Sequence, residues 1–456
     1  MSTGTLTPRT LRTRFLLLVA LRWLPTGLTI PVTVLLASAR GLSLAEIGLV
    51  TSVQGFVVLA LELPTGGLAD SLGRRPTLVL AGVVGATALS LLLVADSVPT
   101  YAAVMALQGV WRALDSGPLE AWYVDAALAA DPGARLEGGL SAASAVLSAA
   151  LAVGALASGG LVALGPVAGV QPLVVPVVAA LVLSLVSTAA VLGLVTEVRP
   201  HGEGGEGGEG GGAWTAVRAV PATVAAGVRL VRGDRVLVAL VAVELFWGFG
   251  SVAYELLTPV RLAEASGGGA AGTERAAALM GPVTAAAWAA SAAGAALVPL
   301  LSRRTGPWVA AALLRVAQGA AVAAMGLLAG PVGVVAAFLA CYAVHGASNP
   351  LHAALLHGRV TGTNRAVVLS VNSMVAQPAG AVGAIALGAL AASASTPAAV
   401  LVGAGALALA APLYLSVRPS SSGTQDRVRR WPRAARSPST EPFSGAQGEH
   451  GRGLRT

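Results

Sequence analysis

The sequence predicts an all-α membrane protein in which twelve transmembrane helices form two six-helix bundles. Hydrophobic residues make up 55% of the 456 residues and charged residues only 11%, with a mean hydropathy of +0.76. A soluble globular chain carries about 25% charged residues, so most of this chain cannot form a surface in contact with water. This composition excludes an ordinary soluble enzyme, and the long apolar runs exclude a disordered protein. The expected partner of most of the chain is a lipid bilayer.

Three polar segments divide the chain and leave room for twelve spans of about 20 residues each, with short connections. Charge breaks and Gly/Pro clusters place the spans near residues 14–38, 46–66, 77–96, 101–123, 138–164, 172–194, 236–258, 277–301, 308–329, 332–355, 366–393 and 397–416. The predicted domains are an N-terminal cytoplasmic segment (1–13), a first six-helix bundle (14–195), a cytoplasmic linker with an amphipathic helix (196–235), a second six-helix bundle (236–417) and a disordered basic cytoplasmic tail (418–456).

Arginines are concentrated on one side of the predicted spans. Only Arg40, Arg261 and Arg275 fall between spans on the other side. Because positive charge in the connecting segments favours the cytoplasmic side, we expect both termini and the central linker to be cytoplasmic. The chain is therefore expected to be a multi-pass protein of the cell membrane.

The linker and the tail are polar and carry many charges. Gly202–Gly212 reads GEGGEGGEGGG, which is a flexible spacer by composition. Apolar residues then recur at helical spacing beside arginines, which predicts either a helix on the inner membrane face or a soluble linker helix. They are Trp214, Val217, Val220, Val224, Val228 and Val231. The tail holds eight arginines and three acids, but it lacks the folded basic module that nucleic-acid binding requires, so we expect it to help set topology.

The strongest local motif is ELPTGGLADSLGRR, between spans 2 and 3. Five of its residues resemble the signature loop of the major facilitator superfamily: Gly66, Asp70, Gly73, Arg74 and Arg75. Ser71 departs from the family, which usually has a base there. Glycines let two helix ends approach and the chain turn sharply, while an acid and two arginines can latch one half of the protein to the other.

Span 4 extends the resemblance with QGVWRALDSGPLEAWYVD, residues 108–125. Arg112 is similar to the buried arginine of the family's span-4 motif. Glu120, together with the Glu62-x-Pro-Thr-Gly of span 2, resembles a bacterial branch of the family. Asp125 matches an acid that joins the signature loop, so the resemblance implies an inner latch formed by Asp70, Arg74 and Asp125. It covers roughly residues 14–416 and implies a monomeric secondary transporter with alternating access.

Two family features are incomplete in this chain. Leu301–Gly306, which is equivalent to the signature loop in the second half, keeps two arginines and a glycine but has no aspartate. Gly154–Gly160 in span 5 keeps the small residues of the family's antiporter motif but lacks its proline. The first half is therefore expected to carry the latch, and the span-5 motif does not secure export.

Ionisable residues inside spans are candidates for substrate binding and proton coupling, because each costs at least about 2.5–3.5 kcal/mol to insert. The candidates are Arg22, Glu62, Arg112, Asp115, Glu120 and Glu244, with Glu255 and Arg315 as further members. Asp115 lies three residues after Arg112, so the two can pair along one helix. Glu120 is expected to flank Arg112 on the other side, and Pro118 to bend the helix. The group predicts either a protonation switch or a permanent ion pair.

Spans 7, 9 and 10 carry further polar groups. Glu244 and Glu255 share one helix face about 16 Å apart. We expect Glu244 to be a cavity carboxylate able to carry a proton, and Glu255 to be solvated at the outer rim. Arg315 is expected to reach the inner interface or to neutralise a cavity acid. His345 and His352 share a face without further ligands at metal spacing, which favours a polar patch over a metal site.

These features together predict a secondary transporter without a cofactor, and the resemblance suggests protons as the coupling ion. The resemblance suggests export of small amphipathic compounds. A first alternative is a proton-coupled importer of a sugar, an organic acid or a peptide, although aromatic residues, at 4%, are few for it. A membrane-embedded sensor or enzyme is a second alternative. The sequence has no phosphate loop and no nucleophile elbow, so we expect no enzyme.

Overall fold

The computed structural model describes residues 7–196, 225–360 and 365–416; at 62–64, 66–71, 365–367 and 369–370 it describes the backbone only. The helices are α1 (Pro8–Thr29), α2 (Thr33–Ala39), α3 (Leu44–Leu72), α4 (Arg74–Val94), α5 (Val98–Asp115), α6 (Pro118–Ala130), α7 (Glu137–Ala163), α8 (Val175–Leu194), α9 (225–232), α10 (Arg235–Glu255), α11 (Leu257–Ala265), α12 (Gly269–Thr305), α13 (Pro307–Leu327), α14 (Gly330–His357), α15 (Arg365–Ser393), α16 (Thr396–Leu409) and α17 (Ala411–Ser416). Within these ranges the only β-structure is an isolated bridge between Val167 and Val170. The all-α class is confirmed.

Eleven stretches of the described chain are long and apolar enough to cross a membrane. Three of them combine two helices each, because α1 continues into α2, α10 into α11 and α16 into α17. The predicted fourth span is not among the eleven, and its residues form the two helices α5 and α6. The eleven stretches and this divided pair are compatible with the twelve crossings that the sequence predicts.

The division of the fourth span follows from two residues. Gly117 adopts a φ of +98°, a backbone conformation that glycine reaches without a steric penalty. Pro118 then begins α6, where its missing N–H has no helical partner to lose. The sequence predicted a bend at Pro118, whereas the structure shows one helix ending at Asp115 and another beginning. Side-chain directions counted along one continuous helix therefore do not apply to the residues after 115.

The helical bundle has two ends. We name the end where α1 begins and α8 finishes the linker side, because Arg14 Nη1 donates to the main-chain oxygen of Leu194 there at 3.4 Å; the opposite end is the far side. In the N-terminal half (7–196), α1 packs against α7 and α8, and α5 packs against α3 and α4. In the C-terminal half (225–416), α14 packs against α12 and α13, and α10 packs against α15 and α16.

The two halves meet mainly along two helix pairs, α3 with α15 and α7 with α12, and α2 adds smaller contacts with α11 and α12. Glycines make this close approach possible. A Cβ placed on Gly281 would lie 2.6 Å from the Cα of Gly159, and one placed on Gly388 would lie 3.1 Å from the Cα of Gly48. These four glycines lie toward the far-side ends of their helices. Small residues thus let the backbones of the two halves pack directly against each other on the far side.

The apolar core differs between the two ends of the bundle. On the far side, one cluster of buried residues runs through both halves and includes Leu36, Met105, Leu257 and Leu387. On the linker side, the buried residues form two clusters, one made by the N-terminal half and one by the C-terminal half. The described state is therefore closed on the far side and divided on the linker side.

Contacts between the halves join Met1–Val417 into one compact unit. This single unit does not test the division into two bundles, so the predicted boundaries 14–195 and 236–417 stay a prediction. In the linker, Val231 of α9 is buried against the cluster of the C-terminal half, while Arg229 and Arg232 are exposed. The earlier part of the predicted amphipathic helix and the tail 418–456 lie outside the described residues.

Arg40 shows why an arginine lies on the far side. Its guanidinium donates to the main-chain oxygens of Leu92, Leu93 and Ala95 at 2.6, 2.8 and 2.6 Å. These oxygens lie at the C-terminal end of α4, where carbonyls have no partner within the helix and a positive charge is favourable. Arg40 therefore stabilises the end of α4, and this role accounts for an arginine on the side that otherwise carries few positive charges.

Candidate transport site

The signature loop forms the turn from α3 to α4. Gly73 joins the two helices with a φ of +94°, so a side chain at this position would strain the backbone. Arg74 Nε lies 3.6 Å from Asp125 Oδ2, and both side chains are partly exposed. Arg75 Nη2 donates to the main-chain oxygen of Leu192 at 2.5 Å. The loop thus connects the start of α4 to both α6 and α8.

The Arg74–Asp125 pair lies entirely within the N-terminal half. The resemblance implied that Asp125 joins the signature loop, and the approach of Arg74 to Asp125 agrees with this. A latch between the two halves stays a prediction. The break before Pro118 separates α6 from α5, and α6 packs against α4. Gly66 and Asp70 lie in α3, but the Asp70 side chain is outside the described part of the chain. Its contribution to a latch stays a prediction.

Asp115 forms its ion pair with Arg22 of α1, and Arg22 Nη2 also donates to the main-chain oxygen of Asp115. The two side chains are 13% and 9% exposed. The sequence predicted instead that Asp115 pairs with Arg112 along one helix, and this is wrong. Because α5 ends at Asp115, the carboxylate reaches the neighbouring helix α1. The observed pair has the geometry of the permanent ion pair that the sequence left open.

Arg112 is exposed, in contrast to the buried arginine that the resemblance implied. It interacts electrostatically with Glu255, which lies at the end of α10 in the other half. Glu255 is exposed as well, and among the described residues neither group has an ion-pair partner within 4.0 Å. Two opposite charges, one from each half, therefore face a solvent-accessible space between the halves.

Glu255 was expected at the outer rim, and this expectation is wrong. The membrane stretch continues past it to Ala265, which places it about 15 Å from the far-side end at 1.5 Å per residue. Arg112 lies roughly 21 Å along α5 from Val98 by the same measure. Both charges are therefore at depths inside the span, and their interaction with each other places them on the inner faces of the halves.

Two tyrosines and a histidine form an aromatic cluster near Glu255 in the C-terminal half. The carboxylate interacts electrostatically with Tyr254 and Tyr342. These two rings pack edge to face with centroids 5.8 Å apart, and each lies about 6 Å from the His345 ring. Tyr254 Oη lies 3.3 Å from His345 Nδ1. Trp247 stacks on the opposite side of the cluster, 5.9 Å from the His345 ring at an interplanar angle of 16°.

Glu244 belongs to a separate, buried network. It is 7% exposed, and its Oε1 lies 3.1 Å from His352 Nε2. His352 Nδ1 is hydrogen-bonded to Tyr414 Oη at 2.7 Å. Arg315, 1% exposed, donates to Gln318 Oε1 at 2.9 Å and carries the positive charge nearest to Glu244 in this network.

This network corrects two sequence expectations. Glu244 does not face a cavity, because the packing of α10 against α14 turns it into the interior of the C-terminal half, whereas Glu255 is open. Arg315 does not extend to the interface; it is fully buried beside the acid. Of the alternatives for Arg315, neutralisation of an internal acid is the one that its position matches.

Of the remaining two candidates, Glu120 is not brought into this site, and Glu62 is described only by its backbone. Glu120 lies in the first turn of α6 and is exposed. It does not flank Arg112 along a common helix, because α6 is a new helix. Glu62 lies in α3, and its side chain is outside the described part of the chain.

Sequence reasoning missed the aromatic cluster, although a periodic signal was present. Trp247 and Tyr254 are seven residues apart on α10, and Phe338, Tyr342 and His345 follow each other at spacings of four and three on α14. Such spacings place side chains on one helix face. Because aromatic residues make up only 4% of the chain, a cluster of rings at one place was not expected.

Known proteins with this architecture are transporters. Residues 15–348 match the family model of the Major Facilitator Superfamily. A mutant form of the nucleoside transporter NupG aligns with a TM-score of 0.73 at 12% identity, over 89% of this chain and 99% of that one. A bacterial homologue of the human lysosomal transporter Spinster, in an inward-facing and occupied conformation, aligns with a TM-score of 0.71 at 13% identity, over 91% and 97% of the two chains.

At such identities these structures support the fold alone. No curated protein matches the chain at a significant level. The family match extends over most of the chain, and the helices, the signature turn and the solved structures agree with it. The chain therefore belongs to the major facilitator superfamily and is a membrane transporter, not an enzyme.

Proposed function

We propose that this protein is a proton-coupled secondary transporter that exports small amphipathic compounds across the cell membrane. The observation that carries the proposal is the position of Arg112 and Glu255, one exposed charge from each half, facing the space between the halves. Ionisable side chains inside a span mark substrate or proton pathways. A carboxylate in this position can bind either a proton or a cationic group of a substrate, so the proton and the substrate compete for one site.

The divided core supports alternating access. One cluster closes the far side through both halves, while the linker side has two separate clusters. In the opposite state, α3 would part from α15 and α7 from α12, and the linker side would close. Movement of this kind requires little change within each half, because the ion pairs Arg22–Asp115 and Arg74–Asp125 lie within one half.

We further propose that the linker side faces the cytoplasm, as the distribution of arginines predicts. The described state would then be open to the cytoplasm. Export would begin with a compound that displaces the proton from Glu255, and return would begin when a proton takes the same site from the far side. The resemblance of span 4 to a bacterial exporting branch supports this direction.

Reconstituted protein tests the proposal. Vesicles containing a pH-sensitive dye and holding a proton gradient would receive lipophilic cations, zwitterions, neutral amphiphiles, sugars, organic acids and nucleosides in turn. We expect one class to move protons against its own flux, and Glu255→Gln to abolish that movement. Glu137→Gln, at an exposed acid in the first turn of α7, is the matched control and should retain it. If labelled compounds exchange without proton movement, coupling is refuted and the protein is a uniporter.

Import of the same compounds with protons is the second candidate. The observation that favours it is the group of aromatic and polar side chains at Glu255, because sugars, organic acids and peptides are held by such groups. The same vesicles distinguish the two directions. In a symporter the compound accumulates on the side to which protons flow, and in an antiporter it accumulates on the other side.

A further inference from the structure

Arg112 and Glu255 form an incomplete pair across the space between the two halves. They interact electrostatically but are not in contact, and both are exposed. Each belongs to a different half, so the gap between them changes when the halves move. A ligand in this gap meets a guanidinium on one side and a carboxylate on the other.

The C-terminal wall of the gap adds aromatic surface. Tyr254 and Tyr342 interact electrostatically with the carboxylate of Glu255, and both pack with His345 at ring-centroid distances of 5.8–6.0 Å. Tyr342 and His345 are partly exposed, whereas Tyr254 is buried behind them. Trp288 packs against Tyr342 at 6.2 Å, and its ring is half-buried. A carboxylate beside aromatic rings attracts an organic ammonium, because the charge is neutralised and the ring faces stabilise the cation. The rings also offer an apolar surface to a flat body.

The opposite wall of the gap, in the N-terminal half, carries Arg112 and therefore favours an anionic group of the ligand. A guanidinium binds carboxylates through two parallel hydrogen bonds, which suits a planar acid group. A ligand with a single charge would leave either Arg112 or Glu255 without a partner when the linker side closes and water leaves. An unpaired charge in such a site is costly. A ligand that carries both charges satisfies both walls and allows the halves to approach.

From this arrangement we infer that the substrate is a small aromatic zwitterion, with its ammonium group at Glu255 and its acid group at Arg112. The inference rests on the proposed transport function and names its substrate class. Arrival of the ammonium group displaces the proton of Glu255, so substrate binding and proton release occur at one carboxylate. The net charge of the ligand is zero, and the apolar wall binds its ring.

Binding by the purified full-length protein tests this inference. The probes are tryptophan and phenylalanine, their amides, which keep only the positive charge, and their N-acetyl derivatives, which keep only the negative charge. We expect the parent zwitterions to raise the thermal unfolding midpoint and to bind at least about tenfold more tightly than either derivative, as expected for loss of a hydrogen bond to a charged group.

Two variants separate recognition from a general loss of structure. Glu255→Gln should abolish the preference for the zwitterion over the N-acetyl derivative, and Arg112→Gln should abolish the preference for the zwitterion over the amide. If either residue had only a structural role, its substitution would weaken the binding of all probes to the same extent. Arg135→Gln and Glu137→Gln, at exposed positions on the linker side, should leave both preferences unchanged.

The zwitterion assignment is overturned if the amides bind the wild-type protein as tightly as the parent compounds, or if none of the probes binds. Proton flux driven by another class of compound would then leave the proposed transport function standing. Conversely, zwitterion binding with both charge preferences, but without transport in vesicles, would support the site and refute the proposed coupling. The two failures are therefore distinguishable.

Discussion

Arg22 of α1 and Asp115 at the end of α5 form a largely buried ion pair that joins two helices of the N-terminal half. The same guanidinium also bonds to the main-chain oxygen of Asp115. This double contact holds the last residue before the break between α5 and α6. The pair therefore anchors the end of α5 to α1, next to the interruption that Gly117 and Pro118 cause.

Breaking this pair from one side should destabilise the protein strongly. Arg22→Gln leaves a buried carboxylate without its counter-charge, which costs about 3–5 kcal/mol in soluble proteins. We expect a clearly lower thermal unfolding midpoint in detergent, and partial recovery when Asp115→Asn is added. Arg112→Gln is the control, because this arginine is exposed. Equal midpoints for the two single arginine variants would show that the buried pair contributes nothing to stability.

Substitution of Gly281 should prevent closure of the far side. A Cβ at this position would lie 2.5 Å from the Ala155 main-chain oxygen and 2.6 Å from Gly159 Cα, so Gly281→Leu must separate α7 from α12. A cysteine introduced at Ser158, which is fully buried, should then react faster with a water-soluble maleimide. Gly160→Ala has open space around the added atom and should not change labelling. Unchanged labelling in Gly281→Leu would contradict the closed far side.

The signature loop should affect transport more than stability. Arg74 and Asp125 are 27% and 37% exposed and 3.6 Å apart, and such pairs contribute at most about 1 kcal/mol. We expect Asp125→Asn, and Asp70→Asn as the resemblance implies, to lower transport about tenfold or more while the protein stays folded in the membrane. Asp131→Asn, at an exposed turn, is the control. Full transport by Asp70→Asn would refute its assignment to the latch.

Asp234 at the start of α10 should make that helix sensitive to acid. Burial raises the pKa of Asp234, but hydrogen bonds from Arg359 and from the Val236 N–H outweigh it and lower the pKa overall. Because the folded pKa is lowered, the stabilisation is present above the unfolded pKa of about 3.9 and is lost as pH falls through the folded value.

Two variants separate the stabilisation by the charge of Asp234 from the stabilisation by its N-cap hydrogen bond. Asp234→Asn keeps an N-cap acceptor but loses the charge, so we expect a cost below about 1 kcal/mol near neutral pH. Asp234→Ala also loses the cap, which adds about 1 kcal/mol. In thermal unfolding measured from pH 7 to pH 3, the difference between wild type and Asp234→Asn should shrink only below about pH 4. A constant difference across this range would contradict the charged pair.

Features that depend on neighbouring residues could be predicted from the amino-acid order alone. Apolar runs fixed the membrane-spanning character, because each run alone is long enough to cross the bilayer. Pro118 indicated a bend in the fourth span, where the structure shows a break, and the glycines of the signature loop indicated the sharp turn at Gly73. Residue spacing put Glu244 and Glu255 on one face of α10, but Glu244 is buried and Glu255 is exposed. The signature loop indicated the family before any contact was known.

Which charges meet depends on how the helices pack against one another. Whether Asp115 pairs with Arg112 or with Arg22, and whether Glu244 or Glu255 faces the space between the halves, depends on how each helix is rotated about its axis and which helices surround it. Spacing along one helix cannot supply this, since packing between helices distant in sequence sets the rotation. The aromatic wall around Glu255 arises in the same way, because α10, α12 and α14 each contribute rings that are scattered in the sequence.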